Sequence, residues 1–279
     1  MACHTRSNSF PSRSHPLASN FEEHLRKLRS SSSIFCRLNG LQDLHDCVDK
    51  VLCLPLTQQA LAQEQQKKRV DELLNGSLKL LDMSSIAKDA LLLTKECVQG
   101  LLSALRRRRR GDEISSEVKK FLASRKAVKK TIKKAFRNLK ACSPCNISEE
   151  HETITILRDV EAVTFTVFES LLSLIITGEP KAQPKLSGWT SLVSKLVQPN
   201  KRVACEEEES DINEFKKVEV ALSSFIAHKS PTSKLDNIVH VQNQLKELET
   251  SIQDLEQGLE CLSRTLIKNR VSLLNILNH

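Results

Sequence analysis

The residues with the clearest chemical potential are a run of arginines and the lysines that follow it. Between residues 106 and 140 the chain carries fifteen Arg and Lys side chains and three acids, a local charge of +12 in a chain of net charge +8. The positive field is therefore concentrated in one element. Cations at this density bind phosphate, acidic lipid or an acidic protein face. The candidate contact residues are Arg106, Arg107, Arg108, Arg109, Arg110, Lys126, Lys130, Lys133 and Lys134.

A second group of candidate residues lies in the Ser- and Arg-rich N-terminal arm. Residues 6–11 read Arg-Ser-Asn-Ser-Phe-Pro, the pattern R-S-x-S-x-P that 14-3-3 proteins bind once its second serine is phosphorylated. A phosphate on Ser9 would add nearly two negative charges and oxygen atoms that an arginine cluster can clamp. Ser14 is the alternative phosphorylation site. The absence of acids from this arm also resembles an organelle import segment, which is the less favoured interpretation.

Enzymes that bind nucleotides or metals usually leave short motifs, and these are missing. The chain contains no G-x-G-x-x-G, no G-x-x-x-x-G-K-S/T and no H-E-x-x-H. Its one C-x-x-C, Cys142 to Cys145, has neither a second pair nor a histidine pair at finger spacing, so it is predicted to be two thiols in a turn. His151 is the nearest histidine and completes no known ligand pattern. We expect no catalysis, no cofactor and no metal.

The cysteines bear on the cellular compartment. There are nine of them, an odd number, scattered mostly among leucines and not preceded by a secretory signal. Such cysteines are typical of small apolar core residues with free thiols in a reducing compartment. The cytoplasm is the expected location, with the membrane periphery and the nucleus as alternatives.

The elements that must position these residues are expected to be helices. Leucine dominates the apolar residues, and the chain has 7 Gly, 8 Pro, no Tyr and 4% aromatic residues, whereas β-rich proteins need aromatic residues and frequent turns. The most apolar stretch, residues 160–177, is interrupted by Glu161 and Glu169, which favours a buried core helix over a membrane span. The prediction is an all-α fold: an elongated multi-helix bundle with a long C-terminal heptad-patterned helix.

The pattern divides the chain into a flexible arm, residues 1–18, and a single helical-bundle domain, residues 19–279. Linkers are predicted near residues 178–186 and 199–210, with a short helix around Trp189 between them, because these stretches are rich in Pro, Gly and charge.

Several helix boundaries follow from capping residues and breakers. Asn20 with a glutamate three residues later has capping-box spacing, which predicts the start of the first helix. The serine run at residues 30–33 ends that helix, and a second is predicted to follow Gly40 and to stop before Pro55. Ser148, before two glutamates, predicts the start of the apolar helix.

The middle of the chain is predicted to form two helices followed by the basic element. The two helices cover residues 57–82 and 84–105, with Leu78 and Leu93 among their inward side chains. In the basic element, apolar residues recur at i, i+3, i+4 and i+7, and the lysines fall mostly on the remaining arc.

The last segment carries a regular heptad pattern. Two seam positions recur every seven residues from Ile238 to Ile276, which is the signature of a coiled-coil seam. The positions beside the seam offer few complementary charges for a homodimer, so packing against helices of the same chain is favoured over self-association. Ile267, Val271, Leu274 and Leu277 widen the stripe and predict a docked C-terminal end.

A set of short stretches lies in order along nearly the whole chain: PSRSHPL (11–17), GLQDL (40–44), LPLTQQAL (54–61), LLNGS (73–77), LLD (80–82), LRRRR (105–109), SRKAVKK (124–130), ESLLS (169–173) and RVSLLNIL (270–277). In these stretches the chain resembles the plant Bypass-related family, whose helical domain has no assigned molecular function. The resemblance implies a plant protein linked to root and shoot development, and it supplies no catalytic residues. His45 stands where relatives often carry an aromatic residue, a difference expected to affect only packing.

These observations favour a non-enzymatic interaction or scaffold protein. Its basic element is expected to contact an anionic partner or membrane surface, since clustered lysines suit phosphate contact. The alternative is a nuclear regulator associated with nucleic acid, which is less favoured because few side chains in the element could read bases. A solvated charged face without a partner is the simplest explanation of the same pattern.

Overall fold

All the described elements are helical, which confirms the all-α prediction. The computed structural model describes residues 16–31, 33–107, 111–140, 152–178, 213–227 and 234–278. Their helices are α1 (Pro16–Ser30), α2 (Ile34–Leu52), α3 (Pro55–Leu61), a 3₁₀ turn (Glu64–Gln66), α4 (Lys67–Arg106), α5 (Gly111–Lys140), α6 (Glu152–Thr177), α7 (Glu214–Ala227) and α8 (Lys234–Asn278). At 1.5 Å per residue, the 45 residues of α8 span about 67 Å, so the bundle is elongated.

The C-terminal helix α8 is the central element of the bundle. Its heptad seam is buried against α4, α2 and α7, and Leu245, Ile252 and Leu259 are fully inaccessible to solvent. The predicted packing of this seam within the chain is therefore confirmed. Lys88 and Lys95 of α4 form ion pairs of 2.7 Å and 2.6 Å with glutamates of α8, whose numbers descend as those of α4 rise, so the two helices are antiparallel.

The predicted break in α4 is wrong. One 40-residue helix runs through residues 82–84, where the sequence has neither proline nor glycine to interrupt it. Met83 is fully buried, and the Ser84 hydroxyl lies 2.7 Å from the hydroxyl of Ser263 on α8. The break instead falls earlier, where α3 and the 3₁₀ turn precede α4.

Continuity of α4 also explains two misplaced leucines. Leu78 and Leu93 were predicted to point inward, but they are 47% and 48% exposed. At 100° per residue each lies nearly opposite a buried leucine two positions away, Leu80 and Leu91 respectively. At the end of α8 the predicted docking is correct for Leu277, which packs against the core. It is wrong for Ile267, Val271 and Leu274, because these three residues share the face opposite the seam and are exposed.

The predicted starts of the first two helices are also wrong. α1 begins at Pro16, four residues before Asn20, since proline is well suited to the first turn of a helix. α2 begins at Ile34, and Gly40 lies inside it. A Cβ atom on Gly40 would come within 2.8 Å of the Leu28 side chain, so this glycine allows α1 and α2 to approach each other. The predicted stop at Pro55 is correct.

Helix α6 is an apolar helix packed into the bundle. By length and composition it is the one described helix that could cross a membrane, yet half of its most apolar window is buried inside the protein. Phe168, Leu171 and Ile175 are fully inaccessible. The helix ends, as predicted, at Gly178, whose φ of +75° suits glycine and whose N–H donates to the Leu174 carbonyl oxygen over 2.8 Å. The predicted cap Ser148, the linkers and the segment around Trp189 lie outside the described residues, except Gly178.

Candidate functional site

The lysines of α5 lie on the face opposite its core contacts. Five apolar side chains bury one side of α5 against α4, α6 and α7: Ile114, Val118, Phe121, Val128 and Ile132. The opposite side carries the exposed lysines predicted from the sequence. We call the group Lys126, Lys130, Lys133 and Lys134 the basic face.

The four lysines of the basic face form no ion pair with any described residue, and their ammonium groups project into solvent. Other cations of α5 are already paired: Lys120 bonds to Glu117 over 2.8 Å, and Lys129 bonds to Glu219 of α7 over 2.7 Å. The lysines that form ion pairs within the protein are thus different residues from those of the basic face.

The arginine run occupies a different place from the basic face. Arg106 ends α4 and Arg107 follows it, both exposed, while Arg108, Arg109 and Arg110 lie outside the described residues. Lys126 lies fifteen residues into α5, about 22 Å along its axis. The cations that form one cluster in the sequence therefore begin at the α4–α5 corner and continue along one side of α5.

One cation of α5 has a role that the sequence analysis missed. Arg125 is only 3% exposed, and its guanidinium contacts three other helices, including α4, where it donates to the Thr94 hydroxyl over 3.3 Å. It donates to the Ile175 carbonyl oxygen of α6 over 2.6 Å and to the Glu219 carboxylate of α7 over 3.3 Å, and it lies over the Phe215 ring at 5.2 Å. Burial lowers the pKa of Arg125, while Glu219 opposes that shift.

The sequence did contain a signal for Arg125. Arg125 stands four residues after Phe121 and three before Val128. This spacing places it on the apolar stripe of α5 and not on the exposed side with the other cations. A charged side chain at a core position needs partners there, since burying an unpaired charge is very costly.

A second cluster of polar side chains lies inside the bundle, around His45. Its Nε2 lies 2.8 Å from the Thr164 hydroxyl of α6, and its Nδ1 lies 3.1 Å from the Asn269 amide nitrogen of α8. That amide nitrogen also donates to the His45 carbonyl oxygen. Nδ1 must therefore accept, which leaves the proton on Nε2. Burial lowers the pKa of His45 to about 4, so the ring is neutral.

The interior carboxyl group of Glu161 lies beside this cluster. It lines a cavity of about 50 Å³ together with Ser77, Asn269 and Arg270, enough room for water molecules but not for a metabolite. A Cβ atom on Gly76 would come within 2.0 Å of the Glu161 carboxylate, so this glycine leaves the space that the carboxylate occupies. Burial raises the pKa of Glu161 to about 7, opposed by nearby cations.

The His45 cluster is arranged for hydrogen bonding between helices. The Thr164 hydroxyl donates to the Val160 carbonyl oxygen within its own helix, over 2.7 Å, and is fully buried. Its proton is engaged by that carbonyl oxygen, and His45 Nε2, which carries the ring proton in this arrangement, donates to the hydroxyl oxygen. The prediction that His45 affects only packing misses these hydrogen bonds, which connect α2, α6 and α8.

Within the described part of the chain, no three His, Cys, Asp or Glu side chains come together in a way that could hold a metal ion. Cys142, Cys145 and His151 lie outside that part, as do Ser9 and Ser14.

Comparison with known proteins gave a family match. A family model described as Protein BPS1 matches residues 37–276, from the first turn of α2 to the last turn of α8. No curated protein and no solved structure matched the chain. The matched region contains the basic face, Arg125 and the His45 cluster, and it confirms the family resemblance found in the sequence.

Proposed function

The chain belongs to the Protein BPS1 family, and with that membership as a premise we propose that it is a non-enzymatic helical interaction protein whose basic face binds an anionic membrane surface. The family match supports a plant protein related to development. A specific link to root and shoot development stays a prediction.

The proposal rests on one observation: some cations of α5 form ion pairs within the protein, and others do not. Arg125 and Lys129 are held by Glu219 of α7, whereas the four lysines of the basic face have no ion pair among the described residues. Folding does not require these four charges, because they lie off the buried stripe. Charges that stabilise nothing inside the protein remain available to a partner.

An anionic lipid surface suits the chemistry of the basic face. A lysine near such a surface gains about 1 kcal/mol, so four side by side are sufficient for reversible attachment. Lysine is a compact point charge, whereas reading bases requires bidentate side chains such as Arg, Asn or Gln. Apart from Arg137, the exposed cations on this side of α5 are lysines, and this composition favours contact with lipid phosphates over recognition of a nucleic-acid sequence.

Vesicle sedimentation tests the proposal. The full chain should bind vesicles of phosphatidylcholine with phosphatidylserine, and binding should weaken as salt rises. Replacing the four lysines of the basic face by glutamate should lower the partition coefficient by about tenfold or more. Binding that is equal for neutral and acidic vesicles would contradict the proposal.

A matched control separates local charge from net charge. Lys50, Lys67, Lys68 and Lys246 are also exposed and form no ion pair with a described residue, but they are dispersed over other helices. Their replacement by glutamate changes the net charge equally and should leave most of the binding intact. If the control variant loses as much binding as the basic-face variant, total charge is the cause.

The nuclear alternative rests on the arginine run and is tested in cells. Fluorescent fusions with alanine at residues 106–110 should keep their distribution if the basic face directs the protein to a membrane rim. A nuclear signal that disappears with these arginines, together with binding to nucleic acid that disappears with the basic face, would favour the alternative.

A further inference from the structure

A groove lies between helices α1 and α6. Both pack against α2, but they make few contacts with each other, which leaves a space of about 290 Å³ between them. Its floor is apolar and is formed by Phe21 and Leu25 of α1 with Ile156 and Val160 of α6. For scale, an enclosed apolar cavity of about 150 Å³ holds a benzene ring. The groove therefore has room for one aromatic side chain and part of its backbone.

The rim of this groove is acidic. Glu22 of α1 and Glu152 and Asp159 of α6 lie around the apolar floor, and none of the described Lys, Arg or His residues lines the groove. Glu22 and Glu152 are both exposed. An occupant that fits both features is an extended segment with an aromatic anchor and flanking positive charges, since like charges at the rim would be repelled.

The N-terminal arm of the same chain has this composition. Residues 1–15 contain one aromatic residue, Phe10, flanked by Arg6 and Arg13, and no acid. We propose that residues 6–13 of the arm dock in the groove between α1 and α6, with Phe10 on the apolar floor and the two arginines at the acidic rim. This inference goes beyond the proposed function and does not depend on the basic face.

The tether makes this contact geometrically accessible. Phe10 precedes Pro16 by six residues, which can span about 20 Å when extended. Phe21 lies five residues into α1, only about 8 Å along the helix axis. The arm can therefore fold back over the first turns of α1. Because the arm and the groove belong to one chain, even weak contacts act at a high effective concentration.

Docking of the arm would couple the groove to phosphorylation. Ser9 is the neighbour of Phe10, so a phosphate on its hydroxyl would bring close to two negative charges to a rim that is already acidic. Repulsion would release the arm. The same modification creates the 14-3-3 motif, so the unmodified motif is covered and the modified motif is exposed.

A single tryptophan can report on the arm in the full chain. The protein has one tryptophan, Trp189, so the double variant Trp189→Phe, Phe10→Trp places the only indole at the proposed anchor. Its emission should be shifted to the blue and shielded from acrylamide, compared with Trp189→Phe, Phe35→Trp, because Phe35 is 40% exposed. An anchor indole quenched as freely as this reference would overturn the proposal.

Charge reversal locates the contact. Adding Glu22→Lys and Glu152→Lys, or Ser9→Asp, to the reporter should lower the ratio of docked to free arm by about tenfold. The control pair, Glu64→Lys and Glu247→Lys, makes the same charge change on exposed glutamates outside the groove and should have no effect. Shielding that survives the groove variants would place the arm elsewhere and overturn the proposal.

A second measurement keeps the native anchor. Trypsin should cut after Arg13 more slowly in the unmodified protein than in the Phe10→Ala variant, because docking hides the bond. Equal cleavage rates would contradict docking through Phe10. A separate peptide of residues 1–15 should bind the Phe10→Ala chain better than the unmodified chain, because the unmodified arm already occupies the groove. Equal binding to the two chains would contradict the proposal.

Discussion

At the residue scale, Arg125 and Lys126 are neighbours in sequence with opposite tasks. The guanidinium of Arg125 is buried and bonded to α6 and α7, whereas the ammonium of Lys126 lies in solvent. Charge alone does not distinguish them. Their positions relative to the apolar stripe do distinguish them. Arg125 lies on the buried side of α5 with Phe121 and Val128, whereas Lys126 lies on the exposed side.

Alanine at the two positions should give very different stabilities. Arg125→Ala leaves the buried Ile175 carbonyl oxygen without its donor and leaves Lys129 as the ion-pair partner of Glu219. We therefore expect a loss of about 3 kcal/mol or more in the free energy of unfolding. Lys126→Ala should change it by less than about 0.5 kcal/mol. Urea denaturation followed by circular dichroism measures both, and equal losses would contradict the assignment of Arg125 to the fold.

His45 and Glu161 predict opposite dependences of stability on pH. Burial lowers the pKa of His45 from 6.5 to about 4, so its effect is to decrease the free energy of unfolding as the pH falls from 6.5 to about 4. The pKa of Glu161 is raised from 4.5 to about 7, so its effect is to decrease the free energy of unfolding as the pH rises through that interval. Between about pH 4.5 and 6.5 the two contributions cancel, since folding protonates one group and deprotonates the other.

Single variants should reveal the hidden slopes. In Glu161→Gln only His45 remains, and stability should fall by about 3 kcal/mol from pH 6.5 to pH 4 relative to the unmodified chain. In His45→Gln only Glu161 remains, and stability should fall as the pH rises from 4.5 to 7. Urea midpoints at several pH values measure this. Parallel pH profiles for the two variants would contradict the assignment.

At the element scale, the heptad seam of α8 carries the packing of the bundle. Leu255 is 4% exposed on this seam, whereas Leu274, on the opposite face of the same helix, is 37% exposed. Leu255→Ala should cost about 2 to 5 kcal/mol of unfolding free energy. Leu274→Ala should cost less than about 1 kcal/mol. A thermal midpoint that rises with protein concentration would instead indicate that the seam also serves self-association.

The sequence predicts α8 well because its signal is redundant. Eleven of the twelve seam residues are buried and follow one heptad register, so a single misread position cannot change the result. Helix starts have no such redundancy: Asn20 and Gly40 resemble a cap and a breaker, yet Asn20 lies within α1 and Gly40 serves the contact with Leu28. Glu256 and Glu260 of α8 were also uninformative alone, because their partners Lys95 and Lys88 are 161 and 172 residues away in the chain.

At the scale of the whole molecule, charge is distributed in two opposed regions. The basic face lies on α5, and the groove between α1 and α6 has an acidic rim. The sequence analysis could find the first, because its lysines lie on one helix. It could not find the second, because Glu22 and Glu152 are 130 residues apart and come together only through the packing of both helices against α2.

The acidic groove predicts how phosphorylation of the arm changes binding to a 14-3-3 protein. If the arm covers its own motif, pull-down of a 14-3-3 protein should require phosphate on Ser9, which both releases the arm and supplies the anion that the partner's arginines bind. Ser9→Ala should abolish this pull-down, whereas Ser14→Ala should retain it.

Adding Glu22→Lys and Glu152→Lys to the phosphorylated chain should change binding of the 14-3-3 protein little, because its arm is already free. In a partly phosphorylated sample the same two changes should raise the rate of Ser9 phosphorylation by a kinase, since they expose the arm. Quantitative phosphopeptide mass spectrometry follows that rate. An unchanged rate would separate the motif from the groove, and binding of the Ser9→Ala chain equal to that of the unmodified chain would remove Ser9 as the docking residue.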